Sequence, residues 1–161
     1  MTLDELYDRF GEQLYRYLVF RLGSCQDAED VLQETFCRFA RYSVRWKLVR
    51  NPRTFVFRCV RNEANRFLKR RLERPKDVSM NPGLQDIISS VVEGPDIKAE
   101  RLLSEYLSRL PDDQMDVIVL KVFGGFTFEE IARICGCSIN TAASRYRYGI
   151  ARLRSILEGK Q

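Results

Sequence analysis

The chain has 161 residues, 45% of them hydrophobic, a net charge of +5 and no histidine. That length holds one domain or two small ones, and no apolar stretch is long enough to span a bilayer. The missing histidine removes Ser-His-Asp and Cys-His nucleophiles, HExxH zinc sites and histidine general bases, and no Walker loop or GxGxxG phosphate cradle is present.

The N-terminal stretch MTLDELYDRF is acidic and amphipathic, unlike a signal peptide, so a cytoplasmic protein with no membrane insertion is expected. Apolar spacing predicts a helix from Leu3 to Leu22, closed by Gly23. A second helix restarts with Ser24 or Asp27 as its cap, with Ala28, Val31, Leu32, Thr35, Phe36 and Phe39 on one face. The basic connector SVRWKLVRNPR follows, and Pro52 sits near the start of the next helix, where its missing N–H costs little.

That third helix carries FVFRCVRNEANRFLKRRLER. Arg58, Arg61, Asn62, Asn65, Arg66, Lys69 and Arg70 form a broad polar band, and Val56, Val60, Ala64, Phe67 and Leu68 line the other side. Between Arg45 and Lys76 twelve basic residues face only Glu63 and Glu73. A solvated face would mix both signs, so these cations repel one another unless an anion lies across them. Aromatics beside a basic track are the ingredients of single-strand binding, in which rings stack on bases and cations follow phosphates. Phe55, Phe57 and Phe67 read as core residues. Trp46 is the better stacking candidate, because it sits in the basic connector rather than on an apolar face.

Prolines, glycines and small polar residues mark a flexible linker over residues 77–96. Helical order then returns, interrupted at Pro111 and at Gly124–Gly125. The expected architecture is all-α, with two small helical domains over residues 1–76 and 97–161 joined by that linker. The five cysteines (Cys25, Cys37, Cys59, Cys135 and Cys137) are scattered and odd in number. They read as small core residues, and CGC without further ligands does not make a zinc site. No metal and no cofactor is expected.

The final segment, FTFEEIARICGCSINTAASRYRYGIARLR, has the pattern of a helix-turn-helix. Thr127 caps the first helix, Ala132 allows a close crossing, Gly136 allows the turn and Ser138 caps the second helix. Ile139, Ala142, Tyr146, Gly149, Ile150, Leu153 and Leu157 share the face expected to be core. Asn140, Thr141, Ser144, Arg145, Tyr148 and Arg152 lie elsewhere and are placed to reach a groove. Arg145 suits guanine or a phosphate, and Asn140 suits adenine.

The order DAEDVLQETFCRFAR, NPRTFVFRCVRNEANRFLKRR, linker, helix-turn-helix resembles an extracytoplasmic-function (ECF) sigma factor of the sigma-70 type. The likeness spans nearly the whole chain. It implies a non-enzymatic initiation factor that binds core bacterial RNA polymerase and promoter DNA. In that family domain 2 docks on the polymerase clamp and opens the −10 element, and domain 4 binds the −35 duplex. Carried onto this sequence, Asp30, Gln33 and Glu34 face polymerase. Trp46, Arg58, Arg61, Asn62, Asn65, Lys69 and Arg70 meet −10 DNA, and Asn140, Thr141, Ser144, Arg145, Tyr148 and Arg152 meet −35 DNA. The resemblance also implies an anti-sigma factor acting in trans. Three positions depart from the family pattern: Asn65 stands where Asp is common, Ala143 where Lys is common, and Tyr148 where Arg is frequent. The alternative is a free-standing helix-turn-helix regulator that binds operator DNA. It leaves the second helix and the basic aromatic segment unexplained.

Overall fold

The computed structural model describes residues 1–42, 45–74 and 97–159. Among them are seven α-helices, one 3-10 turn and no strand. In order these are α1 (Leu3–Leu22), α2 (Cys25–Arg41), the 3-10 turn Trp46–Leu48, α3 (Pro52–Glu73), α4 (Ile97–Ser108), α5 (Asp112–Val122), α6 (Phe128–Cys135) and α7 (Ile139–Leu157). The all-α expectation holds. The chain divides into two units, Met1–Ser79 and Met80–Gln161. The expected linker over 77–96 lies outside the described residues.

In the first unit each helix end is fixed by local chemistry. Thr2 accepts from the Glu5 amide while Glu5 accepts from the Thr2 amide at 2.9 Å, and Gly23 closes α1 in the left-handed region at φ 69°. Of the two candidate caps for α2, Ser24 is the one used: it accepts from the Asp27 amide at 3.2 Å. Asn51 caps α3 ahead of Pro52, as the proline position predicts. The three helices pack on one another. Leu6, Leu14 and Leu18 of α1, Ala28 and Leu32 of α2, and Val56, Phe57, Val60 and Ala64 of α3 form the core. Burying each large apolar side chain contributes about 1.5–3 kcal/mol, so the three amphipathic faces hold the unit together. Phe57 is core as expected, whereas Phe55 and Phe67 are half-buried.

A row of rings continues from this core to the connector. Tyr7 packs edge-on against Phe36 at 5.2 Å, Phe36 against Phe39 at 5.7 Å, and Phe39 against Trp46 at 5.3 Å. Trp46 also meets Phe55 edge-on at 5.7 Å. The expectation that Trp46 stands away from any apolar face is therefore corrected. Its indole is half-buried and seals the aromatic row. The large apolar groups left in solvent near the connector are Tyr42 and Leu48, 77% and 75% exposed.

In the second unit α7 packs against α4, α5 and α6. Thr127 and Glu130 form a reciprocal cap at the start of α6, Gly136 turns the chain at φ 67°, and Ser138 caps α7. The buried face of α7 is Ala142, Gly149, Leu153 and Ile156, with Tyr146 and Ile150 half-buried. Ile139 and Leu157, expected in the core, are 51% and 55% exposed. They are the first and last residues of the helix. Ile156, seven residues after Gly149, keeps better register with the buried row. Gly149 lets α5 approach closely, since a Cβ there would stand 2.8 Å from Ile118 Cδ1 and 3.2 Å from Gln114 Cβ.

Two stability predictions follow from this packing. A Cβ on Gly124 would lie 2.6 Å from the Leu120 carbonyl oxygen and 2.7 Å from the fully buried Phe126 ring. Gly124→Ala should lower stability by about 2–3 kcal/mol through overpacking, read as an earlier urea midpoint. Trp46→Ala should cost about 1–3 kcal/mol by removing two ring contacts, whereas exposed Tyr42→Ala should stay within about 0.5 kcal/mol, both measured by circular dichroism in urea.

Candidate polymerase and nucleic-acid interfaces

Asp30, Gln33 and Glu34 are all exposed on α2, on the side away from its buried row. Helical spacing aligns them with Gln26, Cys37 and Arg41, which are also exposed. The expectation that the cysteines are core residues is therefore corrected: Cys37 is in solvent, and Cys25, Cys59, Cys135 and Cys137 are half-buried. The Glu34 carboxylate accepts from Arg38 Nε at 3.4 Å, a long contact between two solvated groups that contributes little. Glu34 is therefore available to an incoming cation. A groove of about 700 Å³ runs beside this stripe, lined by Tyr7, Asp8, Glu12, Tyr15, Glu29 and Gln33 among others. Its lining holds three carboxylates and no cation. Burial and a hydrogen bond with Cys25 hold the Tyr15 phenol above its ordinary pKa, so it stays neutral.

On α3, Arg58, Asn62, Lys69 and Arg70 are exposed, and Arg61 and Asn65 are half-buried. Among the described residues Arg58, Lys69 and Arg70 make no ion pair, and their charges face solvent. Asn65 is engaged within the unit, its Oδ1 accepting from Arg21 Nη2 of α1 at 3.0 Å. The cationic band also contains more acid than its composition suggests. Glu63 is buried between α2 and α3, and its Oε1 accepts from Arg38 Nη1 and Arg66 Nη1, each at 2.6 Å. Asp27 accepts from Arg71 at 3.3 Å. Glu63 lies on the flank of α3 that faces α2, so it balances guanidinium groups that the linear sequence leaves unpaired. A cavity of about 270 Å³ opens over this cluster, lined by Arg38, Phe39, Tyr42, Asn62, Glu63 and Arg66 among others. Cys59 also lines it, and burial pushes its thiol above the ordinary pKa.

Sequence reasoning left Arg38 and Leu48 out of the candidate contacts, and it placed Arg66 in the polar band of α3 without carrying it over as a −10 contact. Arg66 carried a usable signal, because it follows Glu63 at i+3 and Asn62 at i+4. Arg38 and Glu63 sit 25 positions apart, and no linear pattern joins them.

On α7, Asn140, Tyr148 and Arg152 are exposed, and Thr141, Ser144 and Arg145 are half-buried. Thr141 completes the helix start: its amide donates to Ser138 Oγ at 3.1 Å, and that hydroxyl donates to Thr141 Oγ1 at 2.8 Å. Arg145 is 29% exposed, with Nη2 3.7 Å from Asp113 at the start of α5. Arg147 shares the outward face with Asn140 and Ser144 by helical spacing, and its guanidinium lies 5.5 Å from the Tyr148 ring centre. It too was missing from the candidates, although the i, i+3/i+4, i+7 pattern contains it. Among the described residues no cluster of three or more Cys, Asp or Glu side chains is arranged to hold a metal, and no helix is long and apolar enough to cross a membrane.

The sigma-70 region 2 family matches residues 6–73, and the sigma-70 region 4 family matches residues 100–153. The first segment contains α2 and α3, and the second contains the helix-turn-helix; together they take in more than half the chain. The ECF RNA polymerase sigma factor SigM of Bacillus subtilis is 24% identical over 161 residues, covering 98% of this chain and 94% of that one. The ECF RNA polymerase sigma-E factor of Haemophilus influenzae is 27% identical over 153 residues, covering 89% and 79%. Among solved structures, the sigma factor RpoE of Bartonella quintana, crystallised with the anti-sigma factor NepR, shares the fold. Its TM-score is 0.69 at 23% identity, with 92% of each chain covered. Two sigma-70 segments in this order, on helices that present an acidic stripe, a cationic face and a helix-turn-helix, place the chain in the sigma-70 family as an ECF sigma factor.

Proposed function

We propose that the chain docks on core RNA polymerase through Asp30, Gln33 and Glu34, and directs initiation by holding −10 DNA on α3 and −35 DNA on α7. The observation that carries this reading is the juxtaposition in one three-helix unit of an exposed acidic stripe on α2 and solvent-facing cations on α3. A polymerase-binding surface and a strand-binding surface are then held in fixed relation by one core. Operator binding by a free-standing regulator accounts for α7 alone.

The proposed division of labour follows from exposure. Arg58, Lys69 and Arg70, with Arg61, follow the −10 phosphates, and Asn62 and Asn65 supply amides near the bases. Trp46 braces the connector, while Tyr42 and Leu48 offer the apolar surface on which unpaired bases rest. Holding a base outside the stack offsets part of an unstacking cost of a few kcal/mol, so strand opening needs binding energy and no hydrolysis. The protein is not an enzyme in this reading; polymerase carries out the chemistry. On α7, Asn140, Ser144, Arg145 and Tyr148 read or position the −35 duplex, Thr141 orders the helix start that presents them, and Arg152 holds phosphate. The protein works in the cytoplasm, where core polymerase is. The sigma factor RpoE of this fold was crystallised with the anti-sigma factor NepR, and CnrH, which shares the fold, forms a complex with the cytosolic domain of CnrY. An anti-sigma factor that covers the docking and DNA surfaces is the corresponding partner here.

Run-off transcription by core bacterial polymerase on a pool of random promoter fragments tests the function. Selective transcripts sharing an upstream element are expected only with this protein present. Loss of all stimulation, with folded protein and cognate active core, would overturn it. Glu34→Lys should weaken core binding by about 1–2 kcal/mol while leaving the second unit folded. Core binding should also shield exposed Cys37, which lies in the same stripe, from iodoacetamide, measured by mass spectrometry of the labelled peptide. Arg145→Ala should weaken −35 duplex binding by about 1–3 kcal/mol. A loss confined to one base position identifies a base contact, and an equal loss on every sequence identifies a phosphate contact.

A further inference from the structure

We infer that Arg66 is an additional contact to the −10 strand and that buried Glu63 is its positioning residue. The inference rests on the −10 reading of α3. Arg66 is the one cation of the α3 outer band that Glu63 holds, with its side chain still 60% exposed. A guanidinium has five N–H donors in a rigid fork. Glu63 takes a bond from Nη1 at 2.6 Å, and the rest of the fork remains for a phosphate.

Glu63 itself is well placed to act as a fixed point. It is 7% exposed, and a second guanidinium, Arg38 of α2, donates to the same oxygen at 2.6 Å. Charge-assisted bonds from two helices hold the carboxylate where it is, so Arg66 inherits the precision of the α2–α3 interface. Arg66 and Asn62, one turn apart, line the same cavity of about 270 Å³ between those helices, together with Tyr42. A strand that brings a base to Asn62 therefore runs its phosphate past Arg66. Arg58, Lys69 and Arg70 carry no such hold and supply attraction without fixed geometry.

The sign of one substitution separates positioning from bulk electrostatics. Glu63→Gln removes a negative charge beside the DNA surface, and Coulomb attraction alone then predicts tighter binding. Positioning predicts weaker binding, because Arg66 loses its anchor. The measurement is fluorescence anisotropy of a −10 fork-junction DNA with holoenzyme made from core polymerase and the full chain, at two salt concentrations. Arg66→Gln should weaken binding about tenfold and reduce the salt slope by about 1. Glu63→Gln should weaken it about threefold despite the added positive charge. The double variant should bind no worse than Arg66→Gln, because Glu63 acts through Arg66.

Tighter or unchanged binding by Glu63→Gln, or a loss that adds fully to that of Arg66→Gln, overturns the inference. Should Glu63→Gln fail to fold, Arg66→Lys at this exposed site decides. Lysine keeps the charge but has no fork to share between carboxylate and phosphate, so binding should fall about as far as with Gln. Wild-type affinity in Arg66→Lys overturns the positioning role. A wild-type holoenzyme that forms normally yet does not bind the fork DNA overturns the −10 reading of α3, and this inference with it.

Discussion

Helix α3 answers two opposed demands, and the first unit depends on how they are met. One side must bury Val56, Phe57, Val60 and Ala64 against α1 and α2. The other must carry Arg58, Lys69 and Arg70 in solvent, with Lys69 and Arg70 adjacent in the chain. Repulsion along a helix of this kind is tolerable only if packing holds the helix straight and some of the charge is balanced locally. Glu63 provides that balance at the edge of the core. Its burial would be costly for a lone carboxylate, and two guanidinium groups at 2.6 Å offset the desolvation. Asp27 does the same for Arg71 at 3.3 Å. The cations left over are those a polyanion can reach.

Much of this organisation is legible in the linear sequence, because it depends on short-range periodicity. The ends of α1, the proline at the start of α3, and Thr127, Gly136 and Ser138 around the turn are all set by neighbours within a few residues. The exposed stripe proposed for docking is equally visible, since Asp30, Gln33 and Glu34 fall opposite an apolar row on one helix. What escapes is any feature whose partners are far apart in the chain. Trp46 looks exposed when its neighbours are basic, yet Phe39 and Phe55 enclose it from two helices. Glu63 looks like a stray acid until Arg38 arrives from α2. Ile139 and Leu157 fit the apolar stripe of α7, but a stripe alone does not say where the packing helices end.

The helix-turn-helix shows how little sequence freedom its geometry leaves. The α5–α6 connection passes so close to Leu120 and Phe126 that Gly124 has no room for a side chain. On α7 the close approach of Ile118 to Gly149 fixes which face points inward. Asn140, Ser144 and Arg147 then point outward because the opposite side is occupied. The departure at Ala143 falls at a half-buried position next to that face, and the exposed cation nearest in register is Arg147. Its contact with the Tyr148 ring restrains a flexible side chain, so Tyr148 contributes order where a second cation would contribute charge.

Both units contain an arginine near the proposed reading face that is held by a carboxylate: Arg66 by Glu63, and Arg145 by Asp113 at the longer distance of 3.7 Å. Such a pair lowers attraction to any phosphate that passes, because part of the charge is already balanced. It also reduces the conformational entropy lost when the correct partner arrives. Unpaired cations behave in the opposite way, attracting every nucleic acid in proportion to charge and weakening together as salt rises. A promoter-binding protein needs both kinds, since phosphate contacts set position and ordered contacts set discrimination. The difference in hold between the two arginines matters here. A 2.6 Å bond to a buried carboxylate fixes Arg66 ahead of its proposed DNA contact, whereas the 3.7 Å approach of Asp113, itself 59% exposed, leaves Arg145 free to exchange that partner for the proposed base or phosphate.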